Sequence, residues 1–388
     1  MRDIAVAAVA GVLASASAGS AALAAPVNPA PAPSVTFNGE VHATVYRGST
    51  IYVGGDFTSV TSNGKSVKRA GLAAVDARTG ALLPWAPVAD GRITALAADG
   101  SGIYLAGSFH KINGVSRDNL AKVDAGGVLH SGFKHAVSGT PYALAVGHDR
   151  LYVGGSITSV NGQERARAAA FDSSTGALDP NWRPHVNDIV RALLVSSDRV
   201  YLAGRFNAVN YLKGTGKIAA VDPARGDVDL GFWSHVTAMV HDLALGGGTL
   251  YAGIDGAGGR ATAMDLAGNA KWTITTDGDV QAVAVLDGTV YLGGHFDNVC
   301  KSANVGAKGV CLDGSNRRVK LAAVTLAGDL LPWTADGNGS VGVNTLSTNP
   351  ELGQLVAGGA YTAINGGAQR RFALFNLVNR PGFIDTGW

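Results

Sequence analysis

The sequence predicts an all-β protein: a seven-bladed β-propeller of four-stranded blades, one of them degenerate. Three observations predict it. One short phrase returns seven times at near-constant spacing, and turn-forming residues punctuate the chain about every 8–12 residues. No long helical period follows the first 24 residues.

The recurring phrase is IYVGGDFTSV from Ile51, IYLAGSFHKI from Ile103, LYVGGSITSV from Leu151, VYLAGRFNAV from Val200, VYLGGHFDNV from Val290 and LVAGGAYTAI from Leu355. LYAGIDGAGG, from Leu250, is the degenerate copy. The starts are separated by 52, 48, 49, 50, 40 and 65 residues, the size of a propeller blade. Each repeat begins with a short inner strand such as ITALA, followed by the Tyr-containing strand with its Gly pair. A third strand such as LAAVD and an outer strand complete the order. The outer strands carry Trp85, Phe133, Trp182, Phe232, Trp272 and Trp333.

Most recurrent residues have a scaffold role. Asp-x-x-Thr-Gly at Asp76 and Asp172 is hairpin chemistry, with a capping carboxylate and a glycine that accepts positive φ. The Gly pair permits close backbone approach or a bulge. Arg69, Arg117, Arg165 and Arg318 each precede the third strand by three residues, which points to a repeated bond to a neighbouring loop.

Composition bounds the function. Charged residues are 15% of the chain and glycine 54 of 388, so apolar side chains suffice for a core and turns are many. The net charge is +2 with the basic residues dispersed, no footprint for nucleic acid or an anionic membrane. Residues 1–24 read as a signal peptide: Arg2, an uncharged run from Ile4, and an A-x-A site at Ala22-Leu23-Ala24. An uncleaved anchor is the alternative. Residues 25–38 form a Pro-rich lead-in and residues 39–388 the propeller. The ring is expected to close through the C-terminal segment, with Phe383 as outer aromatic, or through Val35, Thr36 and Phe37 from the other end. The two cysteines, Cys300 and Cys311, suit one local disulfide in an exported chain rather than a metal site.

The repeat pattern, Tyr-Val-Gly-Gly-x-Phe-Thr-x-Val through Leu-Ala-x-x-Asp-x-x-Thr-Gly to Trp, resembles the delta-sixty type β-propeller repeats of secreted actinobacterial proteins. It is more distantly similar to the repeats of fungal cortical cell-polarity markers. The likeness spans residues 39–388, is best over 52–85, 104–124 and 152–182, and is poor in the fifth repeat. It implies a propeller and export, and brings no catalytic residue.

A candidate site emerges from what does not repeat. The inner strands read VHAT, ITAL, PYAL, VRAL, VHDL, VQAV and VNTL, and their second position is polar or amphipathic throughout. His42, Thr94, Tyr142, Arg191, His241, Gln281 and Asn344 are therefore expected to ring a central channel. Such a ring suits a small polar ligand, with Arg191 favouring an anion; a water-filled channel needs no ligand at all. His241, Asp242 and Arg191 are the weak catalytic candidates, though adjacent residues on a strand ordinarily face opposite ways. Asp56, Asp297 and Asp313 could meet Ca²⁺ or simply cap turns; no cofactor is indicated. The leading functional expectation is a monomeric, secreted or envelope-associated binding or scaffold protein. It would present its variable loops, the Cys300–Cys311 loop above all, to a glycan, peptide or protein. A secreted hydrolase or lyase at the channel mouth is the alternative, carried by fold analogy alone.

Overall fold

The computed structural model describes residues 26–256 and 258–378. The leader and Phe383 lie outside the described residues. Among the described residues, every regular element is a strand apart from one 3₁₀ turn at Ala307–Gly309, and no described helix is long and apolar enough to cross a membrane.

Seven principal sheets follow one another, each an antiparallel meander. Their inner strands are Val41–Arg47, Arg92–Ala98, Pro141–Gly147, Val190–Val195, Val240–Gly246, Val280–Leu286 and Val343–Asn349. Each packs against the next and the first against the last, a propeller-like ring. Seven apolar clusters lie between the sheets; the one holding Phe37, Val41, Ile51, Val356 and Phe372 joins the last sheet to the first. The core is thus distributed between blades rather than gathered at a centre.

The aromatic residues knit neighbours together. Tyr52 meets Trp85 edge-on at 4.9 Å, and Tyr152 meets Trp182 in the same way. The indole N–H of Trp85 then donates to the Asp124 carbonyl of the following sheet, and that of Trp182 to Asp222. The first and third repeats therefore pin the outer turn of the next, as Trp272 of the fifth does at the Leu326 carbonyl. The four arginines repeat one motif too: Nη1 donates to the preceding carbonyl, and Nη2 reaches Leu83, His130, Asp179 or Leu331 across the outer hairpin. They are structural staples.

The outer strand is shorter than the sequence suggests. Among the described residues, only the fifth sheet has a regular fourth strand, Ala270–Thr275. In five others the position is reduced to one bridge, such as Val75–Leu82 or Phe171–Leu178. Proline explains three of these: Pro84, Pro180 and Pro332 each stand two residues beyond the bridge, where no N–H is left to extend the ladder. The repeat with the most degenerate phrase is thus the one with the most regular sheet.

In the last sheet the outer position is taken by the N-terminal lead-in. Val27 bridges Leu377 and Ala32 bridges Leu374, while Trp333 donates to the Val27 carbonyl and Val27 N donates to the Tyr291 hydroxyl. Thr36–Phe37 does something else, pairing with Ser59–Ser62 in the loop hairpin of the first sheet. The lead-in therefore reaches the last sheet a few residues earlier in the chain than Val35, Thr36 and Phe37.

Candidate functional site: the mouth of the central channel

All seven inner strands carry a β-bulge at the same place. Val41 pairs with Gly55 and Ala43 with Gly54, leaving His42 as the extra residue. The register shifts likewise across Thr94, Tyr142, Arg191, His241, Gln281 and Asn344. A bulge breaks strict alternation and re-aims a side chain. It also explains the Gly pair opposite: a Cβ on Gly55 would run into the Glu40 carbonyl, and one on Gly54 would meet the Ile93 side chain of the next sheet at 2.5 Å.

The seven bulge residues line one cavity of about 400 Å³, together with Arg92, Asp242, Ser347 and small or apolar neighbours. All seven are half-buried. They divide into two groups by what they touch. His42 Nε2 lies 3.0 Å from Asp56, which also takes two contacts from Arg92 at 2.8 and 3.0 Å. Burial alone would raise the Asp56 pKa; the bonds from His42 and Arg92 outweigh it, and the carboxyl sits below its ordinary value. Thr94 donates to the Pro141 carbonyl at 2.6 Å, and Asn344 to Glu40 at 2.7 Å. These three are satisfied by the protein.

The other side of the channel is different. The Arg191 guanidinium lies over the Tyr142 ring at 4.9 Å, a cation–π contact, with no carboxylate paired to it among the described residues. Nε2 of His241 and Oε1 of Gln281 are buried without a hydrogen-bond partner. Burial, with the Arg191 charge next, lowers the His241 pKa to about 4, so the ring is neutral at pH 7. Two successive inner strands thus carry an unsatisfied buried polar atom beside the cavity, next to the Arg191 cation of a third.

His241 and Asp242 do not pair. The Asp242 carboxylate accepts the backbone amides of Leu243 at 2.9 Å and Val283 at 3.0 Å, bridging the fifth and sixth inner strands. Burial raises its pKa to about 7 despite those bonds. It is held as a strand clip, not as the partner of a catalytic histidine. Asp56, Asp297 and Asp313 are not brought together either: Asp297 pairs with Lys320 at 2.7 Å, and Asp313 accepts from Ser302 at 2.6 Å and from Asn304. Cys300 and Cys311 form a disulfide, and their loop exposes Val310 and Leu312.

Two rim positions were not lined up in the sequence, although Asp56 was named: the residue two places before each bulge and the residue after each second strand. They supply Glu40, Arg92 and Asp279 at the first position, and Asp56, Asp255 and His295 at the second. They gather two groups of donors whose atoms lie within 4.8 Å of one another, Glu40–His42–Asp56 and His241–Asp255–Asp279. In the second group the carboxyls of Asp255 and Asp279 share a hydrogen bond. Burial, and then Asp255, raises Asp279 to about 6, while Asp255 is lowered because the bonds from Asp279 and the Gly256 amide, with the neighbouring histidines, together outweigh its burial. Lining up the seven repeats at these positions would have exposed the change of charge.

Fold and channel together define a β-propeller, and comparison with known proteins agrees on that class. Residues 89–133 match the family described as a domain of unknown function (DUF5122) beta-propeller. Among solved structures, U3-55K is 15% identical, with a TM-score of 0.59 over 90% of this chain and 100% of that one. The RRP9 WD40 repeats are also 15% identical, with a TM-score of 0.59 over 92% of this chain and 100% of that one. No curated protein matches the sequence.

Proposed function

We propose that this protein is an exported, closed, seven-bladed propeller of the delta-sixty repeat type that works as a binding protein. A small polar ligand bearing an anionic group would enter the channel mouth on the side of Tyr142, Arg191, His241 and Gln281. The loop face around it would contact a protein, peptide or glycan. One observation carries the reading: buried polar atoms left unsatisfied on two successive inner strands, His241 Nε2 and Gln281 Oε1, beside Arg191, which has no carboxylate paired to it among the described residues. An unpaired buried polar atom costs about 1–3 kcal/mol, which a ligand that supplies the partner recovers. A binding-scaffold role is also what the propeller fold commonly serves. The disulfide is compatible with an oxidising, extracellular setting. The hydrolase or lyase alternative loses its proposed acid–base pair, because Asp242 is turned onto backbone amides.

Arg191→Ala and His241→Ala are each expected to weaken a channel ligand by at least about 1 kcal/mol. Calorimetry with uronic-acid oligosaccharides and short acidic peptides against the mature chain checks this. Equal affinity of wild type and Arg191→Ala would remove the channel from the reading. Replacing residues 301–310 by a short Gly-Ser link, with the cysteines changed to serine, is expected to abolish attachment to cells or partner with the fold intact. Undiminished attachment with an unchanged circular dichroism spectrum would take the loop out of the binding face.

A further inference from the structure

The fifth and sixth sheets meet at the channel mouth as the first and second do, but with opposite charge at one position. Between the first and second sheets, the bulge residue His42, the rim residue Asp56 and the residue two places before the next bulge, Arg92, form a closed set. Arg92 and His42 both contact Asp56, and the protein supplies its own cation. Between the fifth and sixth sheets the same three positions hold His241, Asp255 and Asp279. The arginine has become a second aspartate. Neither carboxylate is ion-paired to a lysine or arginine among the described residues; the nearest cationic candidate is His295, 3.4 Å from Asp279.

We propose that His241, Asp255 and Asp279 bind a divalent cation at the channel mouth, in the place that the Arg92 guanidinium occupies between the first and second sheets. Two observations support it. One donor atom from each residue lies within 4.8 Å of the other two, close enough to converge on one cation with a modest adjustment of the side chains. His241 also carries a ring nitrogen, Nε2, that is fully withdrawn from solvent and bonded to nothing in the protein. The other triad, Glu40–His42–Asp56, is already engaged by Arg92 and Asn344 and is left out of the proposal. One imidazole and two carboxylates suit Zn²⁺ or Mn²⁺ better than Ca²⁺, which takes oxygen donors. His295 beside Asp279 is placed to orient that carboxylate. Since His241 lines the cavity, the cation's remaining positions would open onto the channel.

This proposal shares His241 with the channel-ligand reading but fails separately from it, because metal binding is read with no channel ligand present. The purified mature chain, stripped with EDTA and dialysed, is titrated calorimetrically with Zn²⁺, Mn²⁺ and Ca²⁺. One equivalent of Zn²⁺ or Mn²⁺ is expected to bind. Asp279→Arg should abolish that binding while keeping the thermal midpoint, because it rebuilds the arrangement present between the first two sheets. Asp279→Asn should weaken binding at least tenfold, and Arg191→Ala should leave the stoichiometry at one. No saturable Zn²⁺ or Mn²⁺ binding, binding of Ca²⁺ alone, or undiminished binding by folded Asp279→Arg would each overturn the assignment.

Discussion

Asp99→Ala is expected to destabilise the protein by about 3–5 kcal/mol, the cost of stripping a buried charge of its partner. Lys122 projects from the third strand of the second sheet, where the first, third and fourth sheets have Ala74, Ala170 and Ala220. Its ammonium is 5% exposed and lies 3.0 Å from Asp99, 2.6 Å from the Ser101 hydroxyl and 2.6 Å from the Tyr104 hydroxyl. The tyrosine donates in turn to Asp99 at 2.8 Å. Burial by itself would raise the Asp99 pKa, but the bonds from Ser101, Lys122 and Tyr104 hold it well below the usual carboxylate range. A depressed pKa fixes the sign of the pH dependence. The contribution is complete above the unfolded value of about 3.9 and is lost as pH falls toward the folded one. Urea midpoints at pH 7 and between pH 4 and 2 would check both statements, with the wild-type advantage over Asp99→Ala shrinking in acid. Adding Lys122→Ala should recover much of the loss, since alanine is what the fold uses at that position elsewhere. An additive double variant would argue against the charge account.

A chain beginning at Ser34 rather than Pro26 is expected to lose on the order of 5 kcal/mol, from the burial of Val27 and four hydrogen bonds. Those bonds are Trp333 to the Val27 carbonyl, Val27 N to Tyr291, and the backbone bonds of Asn28 to Asn376 and Ala32 to Leu374. The truncation also leaves Phe372–Asn376 as an open edge, so the shortened chain should associate as well as melt earlier. Denaturant midpoints and light scattering on the two chains give the answer. Equal midpoints with both chains monomeric would show that the lead-in is ornamental.

The all-β class and the channel ring were legible because both follow from what recurs. Apolar period, turn residues and the Tyr–Gly phrase are local signals, and aligning them placed His42 through Asn344 at one level. What surrounds those residues was not legible. The bulge is a register effect between two strands, visible only as a Gly pair whose reason the sequence leaves open. His241 was read against its neighbour Asp242, whereas the groups it meets, Asp255 and Asp279, come from the end of the next strand and from the next sheet. The lysine in LAKVD carried a signal that passed unread: an ammonium in a strand otherwise filled by alanine must have a buried counter-charge nearby. The outer strands were overextended because prolines two residues on were not counted against them.

The bulges separate two properties that usually trade off. The backbone and its opposing glycines create each bulge, and the side chain on it contributes little to the cores between the sheets. Seven positions around one opening can therefore be rewritten independently while the scaffold stays the same. A descendant of this chain could exchange a histidine for an arginine, or an arginine for an aspartate, and acquire a new specificity without refolding. The contrast between Arg191 and His241, on successive bulges of a single molecule, is that kind of edit, already made.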